Sequence, residues 1–261
     1  MATWDPAQYT RFADERGRPF RELVARITTE DPVAVVDLGC GPGTMTATLA
    51  ERWPHAAILG IDSSEEMIEA AAKHRTAQVT FRRADIAAWR PERQSVDVIV
   101  SNAALHWVPG HVDLLPGWAA ALDDGGTLAF QVPLTFSAPA GVAMAEVAAD
   151  GPWASALDLV LRASASPVQA PETYLDVLAG AGLRVDAWST TFYHVLQGAD
   201  PVLEWFSGTG LRPYLDALAG EPELLDGFRQ KVAARFRKDF PSRDYGTVLP
   251  FPRLFVVATA A

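Results

Sequence analysis

The stretch "VVDLGCGPGT", Val35 to Thr44, sets three apolar residues and one acid ahead of glycines at 39, 41 and 43. It begins inside "VAVVDL" (33–38), a nearly continuous apolar run of the kind that marks a strand buried on both faces. "TMTATLAERW" (44–53) follows as a helix ended by Pro54. Between the two, glycine permits positive φ and lets a ligand approach the backbone closely, while Pro42 stiffens the turn. Strand, glycine turn and helix together open an α/β sheet whose ligands lie at the carboxyl ends of its strands.

The same alternation continues outward. "AAILGID" (56–62) reads as a second strand and "SSEEMIEAAAKH" (63–74) as a second helix, with Ser63 and Glu66 spaced as a capping box. "VTFRRAD" (79–85), "SVDVIVSN" (95–102) and "GTLAFQV" (126–132) read as further strands, the last preceded by a helix near 111–122 closed by "DDGG". Beyond residue 133 prolines at 133, 139, 152, 167 and 171 punctuate short helical stretches. The segments 183–196 and 253–260 read as two more strands, with helices at 200–208, 211–219 and 221–239 between them. The expected fold is α/β: a Rossmann-like, doubly wound, mostly parallel seven-stranded sheet with an antiparallel edge strand and a helical cap. The expected organisation is an N-terminal helical lid over 1–30, an α/β core over 31–132, and a cap over 133–182 and 197–247. Strands at 183–196 and 248–261 complete the sheet.

Composition narrows the ligand. The chain of 261 residues is 49% hydrophobic and 21% charged, ordinary for a globular domain. Its apolar runs stop well short of the ~20 residues of a membrane span, and "MATWDPAQYTRF" lacks a basic-then-apolar signal pattern, so a cytoplasmic protein is expected. The single cysteine, Cys40, excludes an internal disulfide. With 32 acids against 22 bases the net charge is −10, which repels nucleic acid and favours a small-molecule partner. No obligatory protein partner is indicated.

A dinucleotide fingerprint runs G-x-G-x-x-G with an acid about 20 residues on. Here the spacing is G-x-G-x-G, and Asp37 sits two residues before the first glycine. An acid there repels a pyrophosphate but suits the ammonium group of an amino-acid-bearing ligand. Asp62 ends the next strand and can accept from both hydroxyls of a ribose; Asp85 ends the one after and can accept from an adenine amine, with Ile86 offering an apolar surface. An amine, a ribose and an adenine on one ligand describe S-adenosylmethionine.

"VVDLGCGPG", "GIDSS", "ADI" and "SNAALHWV" resemble the class I S-adenosylmethionine-dependent methyltransferases over roughly residues 30–131. "WDPAQYTRFADERGRP", "NAALHWVPGH", "STTFYHVL", "TGLRPYL" and "PFPRLFVVA" are similar to the trans-aconitate 2-methyltransferase family and extend the likeness over nearly the whole chain. The resemblance implies Asp37, Gly39, Gly41, Asp62, Asp85 and Asn102 as cofactor residues, with Cys40, Ser63, Met67 and Ile86 beside them. It also implies methyl transfer to a carboxylate of a small polycarboxylate, trans-aconitate, leaving S-adenosylhomocysteine.

A carboxylate, with a pKa near 4, is already ionised at pH 7 and needs no general base, so the expected catalysis is placement alone. Arginine forks and Tyr or His donors are the groups that clamp carboxylates. The candidates are Arg212, Arg253, Tyr193, His194 and His106, with Tyr9, Arg16 and Arg18 in the lid segment and Trp107 as an apolar wall. Tyr193 and His194 fall on opposite faces of a strand, so at most one of them reaches a pocket. Each candidate has a structural alternative: surface ion pairing for Arg212 and Arg253, core packing for His106. A metal at His106, His111 and Asp113 is disfavoured, since the chemistry gives it no role. Three other functions remain open at this point: methylation of a phenol, enol or carbon acid with His106 or His194 as base, a nicotinamide-dependent oxidoreductase, and an idle cofactor-binding module.

Overall fold

The computed structural model of the chain describes residues 13–163 and 168–261, with side chains from Gly17 onward. Five parallel strands begin the sheet: β1 (Ala34–Leu38), β2 (Ala57–Asp62), β3 (Val79–Arg83), β4 (Val96–Asn102) and β5 (Leu122–Pro133). β1 lies between β2 and β4, with Asp37 opposite Gly60 on one side and Val100 on the other. β3 flanks β2, and β5 flanks β4. The sheet continues past β5 to β8 (Gly246–Thr259) and then β6 (Arg184–Leu196), in the order β3-β2-β1-β4-β5-β8-β6. The order reverses at β1, the switch point beside which α/β sheets bind ligands.

β8 runs against β5: the N–H of Leu134 donates to Pro252 O and that of Ala260 to Gly126 O, each at 2.9 Å, so the chain rises in one strand as it falls in the other. A two-residue β7 (Ser242–Arg243) pairs antiparallel with the start of β8 and adds an eighth, short strand to the seven of the main path. β8 begins seven residues before the expected 253, because Pro250 and Pro252 argue against a strand. Two residues apart, both point their missing donors to one side of the strand, where the Pro252 carbonyl still accepts.

Two compact units share the described chain. The α/β unit comprises Ala13–Val132, Val168–Ser189 and Leu254–Ala261. It contains α1 (Ala13–Ala25), α2 (Thr44–Arg52), α3 (Glu65–Ala71), α4 (Leu115–Ala119) and α7 (Pro171–Gly180). Its core is the central strands, of which Val98, Ile99, Val100, Leu128, Ala129 and Phe130 are wholly buried. Phe20 and Leu23 of α1 are also wholly buried, so this part of the expected lid is docked into the core. Residues 168–182, grouped with the cap by their prolines, pack in this unit: Tyr174 of α7 lies edge-on to Phe130 at 5.3 Å.

Two local expectations are corrected. The cap of α3 is Ser64, whose hydroxyl accepts from Met67 N at 3.2 Å; Ser63 is not the cap because Asp62 takes the Ser64 N–H and starts the turn one residue later. The helix expected over 111–122 is a 3-10 turn (His111–Leu114) followed by α4, and "LDDGG" already belongs to β5.

The helical unit, among described residues, comprises Pro133–Ala163 and Thr190–Arg253. Helices α5 (Pro139–Ala149), α6 (Ala154–Ala163), α8 (Pro201–Ser207), α9 (Arg212–Ala217) and α10 (Pro222–Asp239) enclose its own aromatic core. Trp153 meets Phe228 at 5.5 Å and Phe206 meets Phe236 at 5.8 Å. Burying each such ring contributes about 1.5–3 kcal/mol.

Candidate active site

The carboxyl ends of β1, β2 and β4 carry the groups singled out in the sequence. Asp37 is 2% exposed, one residue before β1 ends. Its Oδ2 accepts from the Thr46 hydroxyl of α2 at 2.6 Å, while its Oδ1, also buried, has no hydrogen-bond partner among the described residues. Burial pushes the Asp37 carboxyl up to about 7, against the Thr46 hydrogen bond that lowers it; the Asp62 charge adds to the rise. An unpartnered buried carboxylate oxygen is a costly feature that a cationic donor would relieve. That oxygen is the observation by which the site fits the ammonium end of S-adenosylmethionine.

The glycine turn begins two residues after Asp37. Gly39 sits at φ +81°, and a Cβ there would lie 2.2 Å from the Cβ of Ala104, so only glycine fits. At Gly41, by contrast, the space over the α-carbon is open. Asp62 ties the turn to β2: its Oδ2 accepts from Gly41 N and its Oδ1 from Ser64 N, each at 2.9 Å. Burial raises the Asp62 pKa and these backbone donors lower it. A carboxylate has about four acceptor sites, so Asp62 keeps capacity to accept from a further donor. Asp85 is exposed, and its Oδ1 accepts from Ala87 N at 2.9 Å, capping the 3-10 turn Ile86–Ala88. Ile86, Met67 and Cys40 are buried beside these acids, and Ser63 is exposed. Burial and the Asp37 and Asp62 charges push the Cys40 thiol far up, so it stays protonated and gives no nucleophile.

Asn102 ends β4, half-buried, and its Oδ1 accepts from the side chain of Gln131 at 2.7 Å. His106 and Trp107 lie in the 3-10 turn Leu105–Trp107, ring centroids 4.7 Å apart; His106 is buried and Trp107 half-buried. His111 is engaged on both ring nitrogens, by Val108 O at 3.2 Å and the Tyr174 hydroxyl at 2.8 Å.

The acceptor candidates are spread over both units. In the helical unit Arg253 is 4% exposed and lies over Phe251 at 4.8 Å. His194 is buried and stacks on Trp205 at 4.6 Å, while its neighbour Tyr193 is exposed, as their opposite faces require. Arg212 is half-buried with Nε 2.8 Å from Asp216 Oδ1. Arg18 is exposed and paired with Glu22 at 3.0 Å. Tyr9 lies outside the described residues, and of Arg16 only its place in α1 is described.

Thr46 and Gln131 were missed in the sequence. Each donates to a candidate residue, Thr46 to Asp37 and Gln131 to Asn102, and their only signal was a polar side chain among apolar ones: "GTLAFQV" for Gln131 and the first turn of "TMTATL" for Thr46.

Residues 35–126 match a methyltransferase domain family. The trans-aconitate 2-methyltransferase of Streptomyces coelicolor is 48% identical over 98% of this chain and 86% of its own length. That of Rhodococcus jostii is also 48% identical, over 98% of both chains. The crystal structure of the YcgJ protein from a Bacillus superposes with a TM-score of 0.64 over 93% of this chain and 98% of its own, at 11% identity, which shows the shared fold. Near-complete coverage at nearly half identity takes in the helical unit as well as the glycine turn, and by it the chain belongs to the trans-aconitate 2-methyltransferase family.

Proposed function

We propose that the protein esterifies one carboxylate of trans-aconitate, using S-adenosylmethionine as methyl donor. The match beyond the cofactor domain carries this reading, because the relatives that share the helical unit as well are named for that substrate. The bound cofactor supplies an electrophilic sulfonium methyl group. Asp37 Oδ1 receives its ammonium, Asp62 its ribose and Asp85 with Ile86 its adenine. Gly39 and Gly41 leave the backbone accessible to the methionine portion.

The acceptor arrives as a nucleophile already, since carboxylates ionise near pH 4. The protein therefore needs no base and supplies orientation, which can lower a barrier by about 7–11 kcal/mol. A polyanion binding a chain of net charge −10 needs a local cation. Arg253, almost wholly withdrawn from water, is the strongest candidate for it, because a desolvated guanidinium interacts with a carboxylate far more strongly than an exposed one. His194 and Arg212 are candidate secondary ligands. Incubation with labelled S-adenosylmethionine and a panel of small polycarboxylates tests the reading. Transfer to trans-aconitate, seen as a monomethyl ester by mass spectrometry, with a rate flat from pH 6 to 8 under saturating ligands, is expected. Turnover only of a phenol or enol, falling as a histidine protonates, would overturn it.

A further inference from the structure

Gln131 of β5 lies outside the cofactor cradle, yet it grips the cradle wall twice. Its side-chain amide donates to Asn102 Oδ1 at 2.7 Å, and its backbone carbonyl accepts from Ala103 N at 3.0 Å. Gln131 is wholly buried, so its own end of each bond is shielded from bulk water. Ala103 needs such a grip. Its φ is +52°, a left-handed conformation that a residue with a Cβ adopts at a cost and keeps only where its surroundings over-determine it. The next residue, Ala104, is the one whose Cβ presses on Gly39 and excludes any side chain there. The strained kink therefore sets how the end of β4 closes against the glycine turn.

We infer that Gln131 is a positioning residue for the cofactor: it fixes the Asn102 amide and the left-handed Ala103 so that the end of β4 completes the cradle begun by Asp37 and Gly39. Because the Asn102 oxygen is turned to Gln131, its amide N–H groups are the ones left for a ligand. Asn102 lies two residues past Val100, the register partner of Asp37, so a donor suited to a carboxylate ends the strand next to the one that carries the acceptor suited to an ammonium, a pairing that matches the two ends of an amino-acid moiety. The inference rests on the cofactor reading above.

Calorimetric titration with S-adenosylhomocysteine tests it, with no catalysis involved. Gln131→Met keeps the backbone carbonyl and much of the volume but removes the donor to Asn102. It should weaken binding roughly tenfold, the effect of losing one buried hydrogen bond. Asn102→Ala should weaken it also, and in that background Gln131→Met should add less than twofold, since Gln131 side chain and Asn102 act as one unit. Should Gln131→Met fail to fold, Gln131→Leu carries the test, a side chain of similar volume that likewise has no hydrogen to donate to Asn102. Equal affinity in the variant and the unaltered protein, or equal losses in both backgrounds, would overturn the positioning role while leaving the cofactor reading intact. No binding by the unaltered protein would overturn both.

Discussion

Asp37→Asn should strengthen the fold while crippling cofactor binding. An aspartate ordinarily ionises near 3.8, and in the fold this one is raised to about 7 by burial. A raised acid binds its proton more tightly folded than unfolded. Its effect is a cost that begins above the unfolded pKa, grows as pH climbs and levels off above the folded pKa. Over about three pH units at roughly 1.36 kcal/mol each, the cost approaches 4 kcal/mol at pH 8. An asparagine can still accept from the Thr46 hydroxyl but carries no charge to desolvate. Denaturant melts should show the Asp37→Asn variant more stable at pH 8 by a large part of that figure, and hardly more stable at pH 4. Ligand binding should move oppositely. If the ammonium binds only the ionised form, the affinity of the unaltered protein for S-adenosylhomocysteine falls about twofold at pH 7 and about tenfold at pH 6 from its plateau above pH 8. Titration at pH 7 should release protons, visible as a buffer-dependent enthalpy. Asp37→Asn should abolish the pH dependence and lower the affinity about 10- to 100-fold, the range for losing a charge-assisted hydrogen bond. A dissociation constant unchanged between pH 6 and 8, with no proton released, would refute the reasoning.

The same geometry fixes three further outcomes. Gly39→Ala must hold a left-handed residue whose Cβ would lie 2.2 Å from Ala104, so S-adenosylhomocysteine binding should be lost and stability should drop by about 2 kcal/mol or more, measured by calorimetry and thermal melts. Burial lowers the pKa of His111 against the opposing effects of Val108 O and Asp113, so its neutral form favours the fold. That contribution is full above about pH 6.5 and is lost as pH falls below it. Tyr174→Phe, which takes away the donor to His111 and the acceptor of the Gln169 N–H, should cost about 2 kcal/mol at pH 8 and shrink this acid sensitivity in denaturant melts. Arg253→Ala should raise the KM for the acceptor at least tenfold with S-adenosylhomocysteine affinity unchanged, and Arg253→Lys should not restore it, because an ammonium cannot form the bidentate fork.

The parts of the fold legible in sequence were those whose signal is local. β1, β2 and β4 are buried runs bounded by turns, and each appears within one residue of where its apolar pattern places it. Asp37 could be chosen over a dinucleotide fingerprint because the sign of one charge decides between ligands. What stayed hidden depends on neighbours far along the chain. Pro250 and Pro252 conceal the first half of β8, since nothing nearby tells which side of the strand can forgo donors. Ser63 and Ser64 are indistinguishable until Asp62 is seen to take the Ser64 N–H. Gln131 becomes meaningful only through its register opposite Asn102. Arg212 read as a clamp, yet the acid one helical turn on already faces it.

The place of β8 bears on how the molecule comes to be made. A nascent chain that has reached residue 245 holds β1 to β7, but the strand that joins β5 to β6 has not yet emerged. Until it does, β5 presents a long open edge of unpaired backbone groups, with wholly buried Leu128, Phe130 and Val132 along it in the finished protein. Such a half-built sheet is a target for chaperones and a seed for aggregation. A release before residue 246 should therefore yield insoluble product rather than a smaller working cofactor domain, even though every acid of the cofactor cradle is already present.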